Sequence, residues 1–251
     1  MTLCQTNQQL QKVCNVDGLY LHKIDVEDID IPTRLLFADR LDKHLDFAER
    51  QDRNIVANRT MSKFLILGIH HIDAKNKKFT FNELSNKLSF ENHPLFNKIS
   101  DMISESYNEL NLNIKNFKNI NITIRKYETA GIGYHKDDME LFEPIVFTLV
   151  LKCTGSKQGC LSFKSDNNEI NYTVPEENGT VIIMKGDSLS KFTHGIKPPK
   201  KKEDINRISI TVRFFKEEKL ITLEGYDPSK KMFNFESVIY RKILENCRKQ
   251  F

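Results

Sequence analysis

The spacing of apolar and polar positions changes character near residue 119. Before it the repeat is helical: from Thr33 to Arg50, Leu36, Phe37, Leu41, Leu45 and Ala48 recur at intervals of three and four and predict a helix. Pro94, a residue suited to the first helical turn, opens a second one. Its stripe is Phe96, Ile99, Met102, Ile103, Tyr107 and Leu110. From Asn119 the period falls to two. Strands are predicted at Asn121–Tyr127, Ile145–Cys153, Cys160–Lys164, Glu169–Val174, Thr180–Met184 and Arg207–Phe215. Turn formers at 154–156, 166–168, 177–179 and 185–187 separate them. A last helix is predicted from about Glu236 to Lys249, with Val238, Ile239, Ile243 and Leu244 apolar. Short strands without intervening helices argue for a sandwich or jelly roll rather than a parallel sheet. The expected class is α+β with a mainly β core at about 117–220. A mixed, more helical extension (1–116) precedes it, and a C-terminal helix within 221–251 packs on it.

Composition adds limits more than identity. The chain has 251 residues, 29% charged and 39% hydrophobic, values of a soluble globular protein. No run reaches the ~18–20 apolar residues of a membrane span, so no membrane association is expected. The opening residues MTLCQTNQQLQK lack a signal-like apolar core. Cys4, Cys14, Cys153, Cys160 and Cys247 are odd in number and form no C-x-x-C pair, which suits a reducing compartment. An intracellular location, cytoplasmic or nuclear, and a monomeric state are expected. Four N-x-S/T sequons begin at Asn58, Asn121, Asn171 and Asn178 and read as products of an Asn-rich composition. The net charge of +4 is mild, but lysines cluster at 75–78 and 197–202.

The chemistry concentrates in TAGIGYHKDDMELF. His135 and Asp137 are separated by one residue, so at a strand end both side chains can face one ion. With one more distant histidine they would form the 2-His-1-carboxylate triad that leaves positions open on non-heme Fe(II). The spacing alone is weak, because His71-Ile72-Asp73 repeats it; that copy reads as a partly buried or surface histidine after an apolar run. The distinction lies downstream of His135, where GTVIIMKGDSLSKFTHGI delivers His194 after a strand and a Gly-Asp turn. In the strand that follows, Arg207, Ser209, Thr211 and Arg213 share one face and Ile208, Ile210, Val212 and Phe214 the other. An inward face with two arginines needs an anion, since an unpaired buried guanidinium is costly. The arginines lie roughly 20 Å apart at Cα, from about 3.3 Å per residue. They could lean together onto the two ends of a dicarboxylate.

The order H-x-D, then HGI, then R-x-x-x-x-x-R over roughly 117–215 resembles the AlkB family of nucleic-acid dealkylating dioxygenases. His135-Lys136-Asp137-Asp138 is similar to that family's H-x-D-D, and the stretch 192–198 to its distal-histidine segment. Arg207-Ile208-Ser209-Ile210-Thr211-Val212-Arg213 resembles its last strand. The resemblance implies a double-stranded β-helix, with Fe(II) on His135, Asp137 and His194. It also implies 2-oxoglutarate as co-substrate: Arg207 on its distal carboxylate, Arg213 at the chelating end, and Tyr127 hydrogen-bonded to it. O₂ would be consumed, with release of succinate, CO₂ and formaldehyde. Asp138 would help position the base, and Lys200, Lys201 and Lys202 would meet the phosphates of a single-stranded or base-flipped nucleic acid. Departures are Arg125-Lys126-Tyr127 where the family has Asn-x-Tyr, and Thr211-Val212-Arg213 for its T-F-R. The N-terminal part, where the family builds its nucleotide-recognition lid, shows no matching motif. Two alternatives stay open: a 2-oxoglutarate-dependent hydroxylase of protein or small-molecule substrates, and a non-catalytic jelly-roll binding module.

Overall fold

A computed structural model describes residues 10–26, 48–49, 63–73, 76–82, 94–112, 119–127, 131–153, 160–197 and 207–227. The core strands run in chain order as β6 (Ile120–Tyr127), β7 (Ile132–His135), β8 (Ile145–Lys152), β9 (Leu161–Ser165), β10 (Asn171–Thr173), β11 (Thr180–Lys185), β12 (Phe192–Ile196) and β13 (Arg207–Phe214). Among the described residues five precede them: β1 (Gln11–Lys12), β2 (Leu19–Lys23), β3 (Ala48–Glu49), β4 (Lys63–Asp73) and β5 (Lys78–Asn82). Among the described residues the helices are α1 (Pro94–Glu109) and two single turns, α2 (Asp187–Ser190) and α3 (Glu217–Leu220). None is long and apolar enough to cross a membrane.

Two sheets face each other. The larger runs β1-β2-β11-β8-β13-β6-β4-β3, with β5 on β4; the smaller runs β10-β9-β12-β7. Within them β6-β13-β8-β11 stands opposite β7-β12-β9-β10, the strand order of a double-stranded β-helix, and every adjacent pair is antiparallel.

The apolar runs of β8 and β11 follow from burial on both faces. Val146, Val150, Ile182 and Met184 point between the sheets and pack with Leu161, Phe163, Phe192 and Ile196 of the smaller one. Their neighbours Phe147, Leu149, Val181 and Ile183 are equally buried on the opposite face, as period-two alternation requires. Helix α1 packs near β8, and its Ile99, Met102 and Ile103 are fully buried.

The extension before the core contributes strands. β2 pairs with β11 along one edge of the core and β4 with β6 along the other. The helix expected at 33–50 lies outside the described residues except at its end, where Ala48 and Glu49 pair with Phe64 and Lys63 as a strand, a correction to that reading. The expected C-terminal helix lies outside the described residues.

Candidate active site

His135 closes β7, and β12 brings His194 directly opposite it. The approach is close because residue 195 is glycine: a Cβ there would meet the Ile132 carbonyl oxygen at 2.8 Å and the Gly133 carbonyl carbon at 3.0 Å. The two imidazole rings stand 4.6 Å apart, and Phe163 flanks His194 at 5.8 Å. Asp137 follows β7 by two residues. Its position is fixed downstream, where Glu143 N–H donates to the Phe214 carbonyl and Lys216 Nζ to the Met139 carbonyl, tying this segment to the end of β13. That strand end carries Arg213.

Donor atoms of His135, Asp137 and His194 lie within 4.8 Å of one another. Each retains capacity for a cation. His135 Nδ1 lies 2.8 Å from the Gly133 carbonyl, which makes it the N–H donor and leaves Nε2 with a lone pair. Arg213 places Nε at 2.8 Å and Nη2 at 2.6 Å from Oδ1 of Asp137, so both contacts fall on one oxygen. The other oxygen, Oδ2, is buried without a hydrogen bond and lies 3.4 Å from His194 Nε2. Burial alone would push the Asp137 carboxyl up, but Arg213, His194 and His135 outweigh it and hold the group below the usual carboxylate range. Burial pulls His194 down to about 4, helped by His135 and Arg213 against Asp137, so its imidazole is neutral at physiological pH. Two imidazole nitrogens and a carboxylate oxygen without a hydrogen bond are a donor set that fits a divalent metal.

The triad opens on a cavity lined by Thr123, Arg125, Tyr127, Thr148, Arg207, Ser209, Thr211 and Arg213 on the larger sheet. Leu161, Met184 and Ile196 complete its wall. The polar face expected of β13 therefore does line the site. Its anions, however, are internal. Arg213 meets Asp137. Arg207 donates from Nε and Nη2 to the two carboxylate oxygens of Glu176, at 2.6 and 2.8 Å, and from Nη1 to Ser209 Oγ at 2.6 Å. Both partners are essentially fully buried. Burial opposes the guanidinium's charge, but Glu176 outweighs it and raises the Arg207 pKa. Arg207, expected on the distal carboxylate of 2-oxoglutarate, has the carboxylate of Glu176 against it here. Tyr127 is buried beneath it, with the guanidinium 5.2 Å from the ring centre.

Asp138 is exposed and spends Oδ1 on the N–H groups of Glu140 and Leu141, capping its own turn. Lys200, Lys201 and Lys202 lie outside the described residues. The second H-x-D, 71–73, forms the end of β4. Sequence reasoning missed Glu176, which falls between a predicted strand and a predicted turn, since no local spacing announces an ion pair 31 positions long. Cys153, Cys160 and Glu176 also bring donor atoms together. The guanidinium against Glu176 disfavours a further cation there, and the hydrogen bond shared with Cys153, with burial, pushes the Cys160 thiol up, away from the metal-binding thiolate.

No protein-family profile and no curated protein sequence matches this chain. Among solved structures, a prolyl-4-hydroxylase from Pseudomonas putida is similar, with a TM-score of 0.51 at 12% identity over 79% of this chain and 93% of that one. OsALKBH1 is another, with a TM-score of 0.48 at 17% identity over 82% of this chain and 100% of that one. The first likeness agrees with the jelly-roll core read from the strand order.

Proposed function

We propose that this chain is an Fe(II)- and 2-oxoglutarate-dependent dioxygenase that removes N-alkyl groups from nucleobases. The observation that carries the reaction class is the convergence of His135, Asp137 and His194 on one point of a cavity lined with arginines and hydroxyls. Iron and 2-oxoglutarate, when bound, would supply the activation of O₂ for C–H hydroxylation, with succinate and CO₂ as co-products. The chain's own residues prepare that chemistry. Gly133 fixes the His135 tautomer, and Arg213 keeps Asp137 ionised while leaving Oδ2 for the metal. Leu161, Met184 and Ile196 keep one wall of the cavity apolar and limit water.

The base-dealkylating reading is supported by the H-x-D-D and R-x-x-x-x-x-R segments and by the basic run at 197–202. In that reading hydroxylation of an N-methyl carbon gives a hemiaminal that collapses to formaldehyde and the free base. A second reading, hydroxylation of a protein or small molecule, is favoured by Asp138, whose Oδ1 accepts from the N–H groups of Glu140 and Leu141 in its own turn.

The deciding assay measures succinate and formaldehyde on single-stranded oligonucleotides carrying 1-methyladenine or 3-methylcytosine, with His135→Ala as control. Formaldehyde that depends on His135 supports the first reading. Succinate without formaldehyde moves the target to the second. If wild-type protein fails to bind Fe(II) or Mn(II) in a calorimetric titration, both are wrong.

A further inference from the structure

Two thiols meet where the sheets join. Cys153 directly follows β8 of the larger sheet, and Cys160 directly precedes β9 of the smaller one. Each is the other's hydrogen-bond partner, and both sulfurs and a carboxylate oxygen of Glu176 lie within 4.8 Å of one another. We propose that Cys153 and Cys160 form a redox-sensitive pair, which a hydroperoxide such as hydrogen peroxide oxidises to an intrachain disulfide and a dithiol reductant reopens. The pair stands apart from the dioxygenase reading, since neither residue lines the cavity of the triad.

The backbone holds the two thiols together. Cys153 N–H donates to Oδ1 of Asn178 at 2.9 Å, and Leu161 N–H, next to Cys160, donates to Oε1 of Glu176 at 3.1 Å. The segment between β10 and β11 thus grips both strand ends. Val174 N–H on the Leu161 carbonyl and Gly179 N–H on the Val150 carbonyl extend that grip to either side. Sulfurs already in hydrogen-bond contact must close to about 2 Å to bond, a step that side-chain rotation supplies while the strand ends stay fixed.

The two thiols are not equivalent. Cys160 is buried, and the hydrogen bond shared with Cys153, with burial, pushes its pKa up and keeps it protonated. Cys153 is half-buried, within reach of a small oxidant, and the Arg207 guanidinium lies close enough to attract its thiolate. Cys153 therefore attacks first. Its sulfur takes one oxygen as the O–O bond of the peroxide breaks; the other leaves as hydroxide and takes up a proton to become water. The Cys160 thiol then attacks the resulting sulfenic acid. The S–O bond breaks, the S–S bond forms, and the hydroxyl leaves with the Cys160 proton as a second water. Two thiols lose two electrons and one peroxide gains them. The bond staples the larger sheet to the smaller beside the buried Arg207–Glu176 pair.

The test treats the full-length protein with hydrogen peroxide at neutral pH, alkylates the remaining thiols with N-ethylmaleimide and reads tryptic peptides by mass spectrometry. Lys157 lies between the two cysteines, so the disulfide links peptide 153–157 to peptide 158–164. The linked pair should accumulate, with loss of two alkylatable thiols, ahead of any modification of the exposed Cys14, and vanish with dithiothreitol. Oxidation should raise the melting temperature by about 5 °C, the effect of closing a short loop. Neither Cys153→Ser nor Cys160→Ser should show that rise, and Cys160→Ser should retain a sulfenic acid at Cys153 that dimedone traps. Absence of the linked peptides under conditions that oxidise Cys14 would overturn the proposal, as would pairing of either residue with another cysteine or with a second chain. Equal dimedone trapping at Cys160 in Cys153→Ser would overturn the order of attack. A linked pair without a rise in melting temperature would overturn the staple.

Discussion

At Asp137 the Arg213 guanidinium engages Oδ1 alone and leaves Oδ2 facing His194. Removing that cation lets burial raise the carboxyl's pKa, so protons compete with metal at higher pH than before. Arg213→Met should therefore bind Mn(II) more weakly, with the loss growing as pH falls from 7.5 to 5.5, measured by titration at both values. Gly195 acts on the same centre through space. Gly195→Ala would wedge β12 away from the Ile132–Gly133 backbone. An overpacking cost of about 1–3 kcal/mol is expected, with a lower melting temperature and weaker metal binding than wild type. The Arg207–Glu176 pair behaves differently. Glu176→Leu strands a buried guanidinium and should cost about 3–5 kcal/mol in urea unfolding, whereas the double change with Arg207→Met should recover most of it. At this scale the sequence displayed what is local. His135 ends β7 with Asp137 two residues on, and His194 precedes the one residue type that lets β12 approach β7. It hid what is distant: nothing near Glu176 marks it as the partner of Arg207.

Strand β2 illustrates how an element added at the edge of a sheet carries its own liability. It pairs with β11 through His22 opposite Val181, and the His22 Nε2 is buried without a hydrogen bond among the described residues. Burial lowers this imidazole to about 4, against a slight opposing effect of the Lys23 backbone. Lys23 and Glu177, which pair with each other, line the same recess. The folded-state pKa lies below the unfolded value of about 6.5, so the unfolded chain takes up the proton first. Stability from this group is complete above about pH 6.5 and lost as pH falls towards 4. His22→Phe should flatten the decline of the urea midpoint between pH 7 and 5 relative to wild type. The elements that sequence periodicity revealed, such as α1 and β8, are long or continuously apolar. Those it missed were β7 and β12, short, glycine-bearing and interrupted by the polar ligands they carry. β2, β4 and β5 escaped because they lie in the half of the chain whose helical repeats dominated the pattern.

On the scale of the whole molecule, period-two alternation and regularly spaced turns were enough to imply a jelly roll. They could not say which strands pair, because the partners lie far apart along the chain. β13 closes the structure. It is the last core strand, yet it sits centrally, with β6 on one side from Ile120↔Phe214 to Tyr127↔Arg207 and β8 on the other. During synthesis β6 and β8 must wait, each with an open edge, until residues 207–214 have left the ribosome. Contacts of such sequence separation fold slowly, and open apolar edges invite pairing with other chains. The nascent protein is thus most prone to aggregate just before this last core strand arrives, and the same late step delivers Arg213 to Asp137. Folding and assembly of the site are then one event, and a chain stalled before Arg207 should collect in the chaperone-bound or insoluble fraction without ever having held metal.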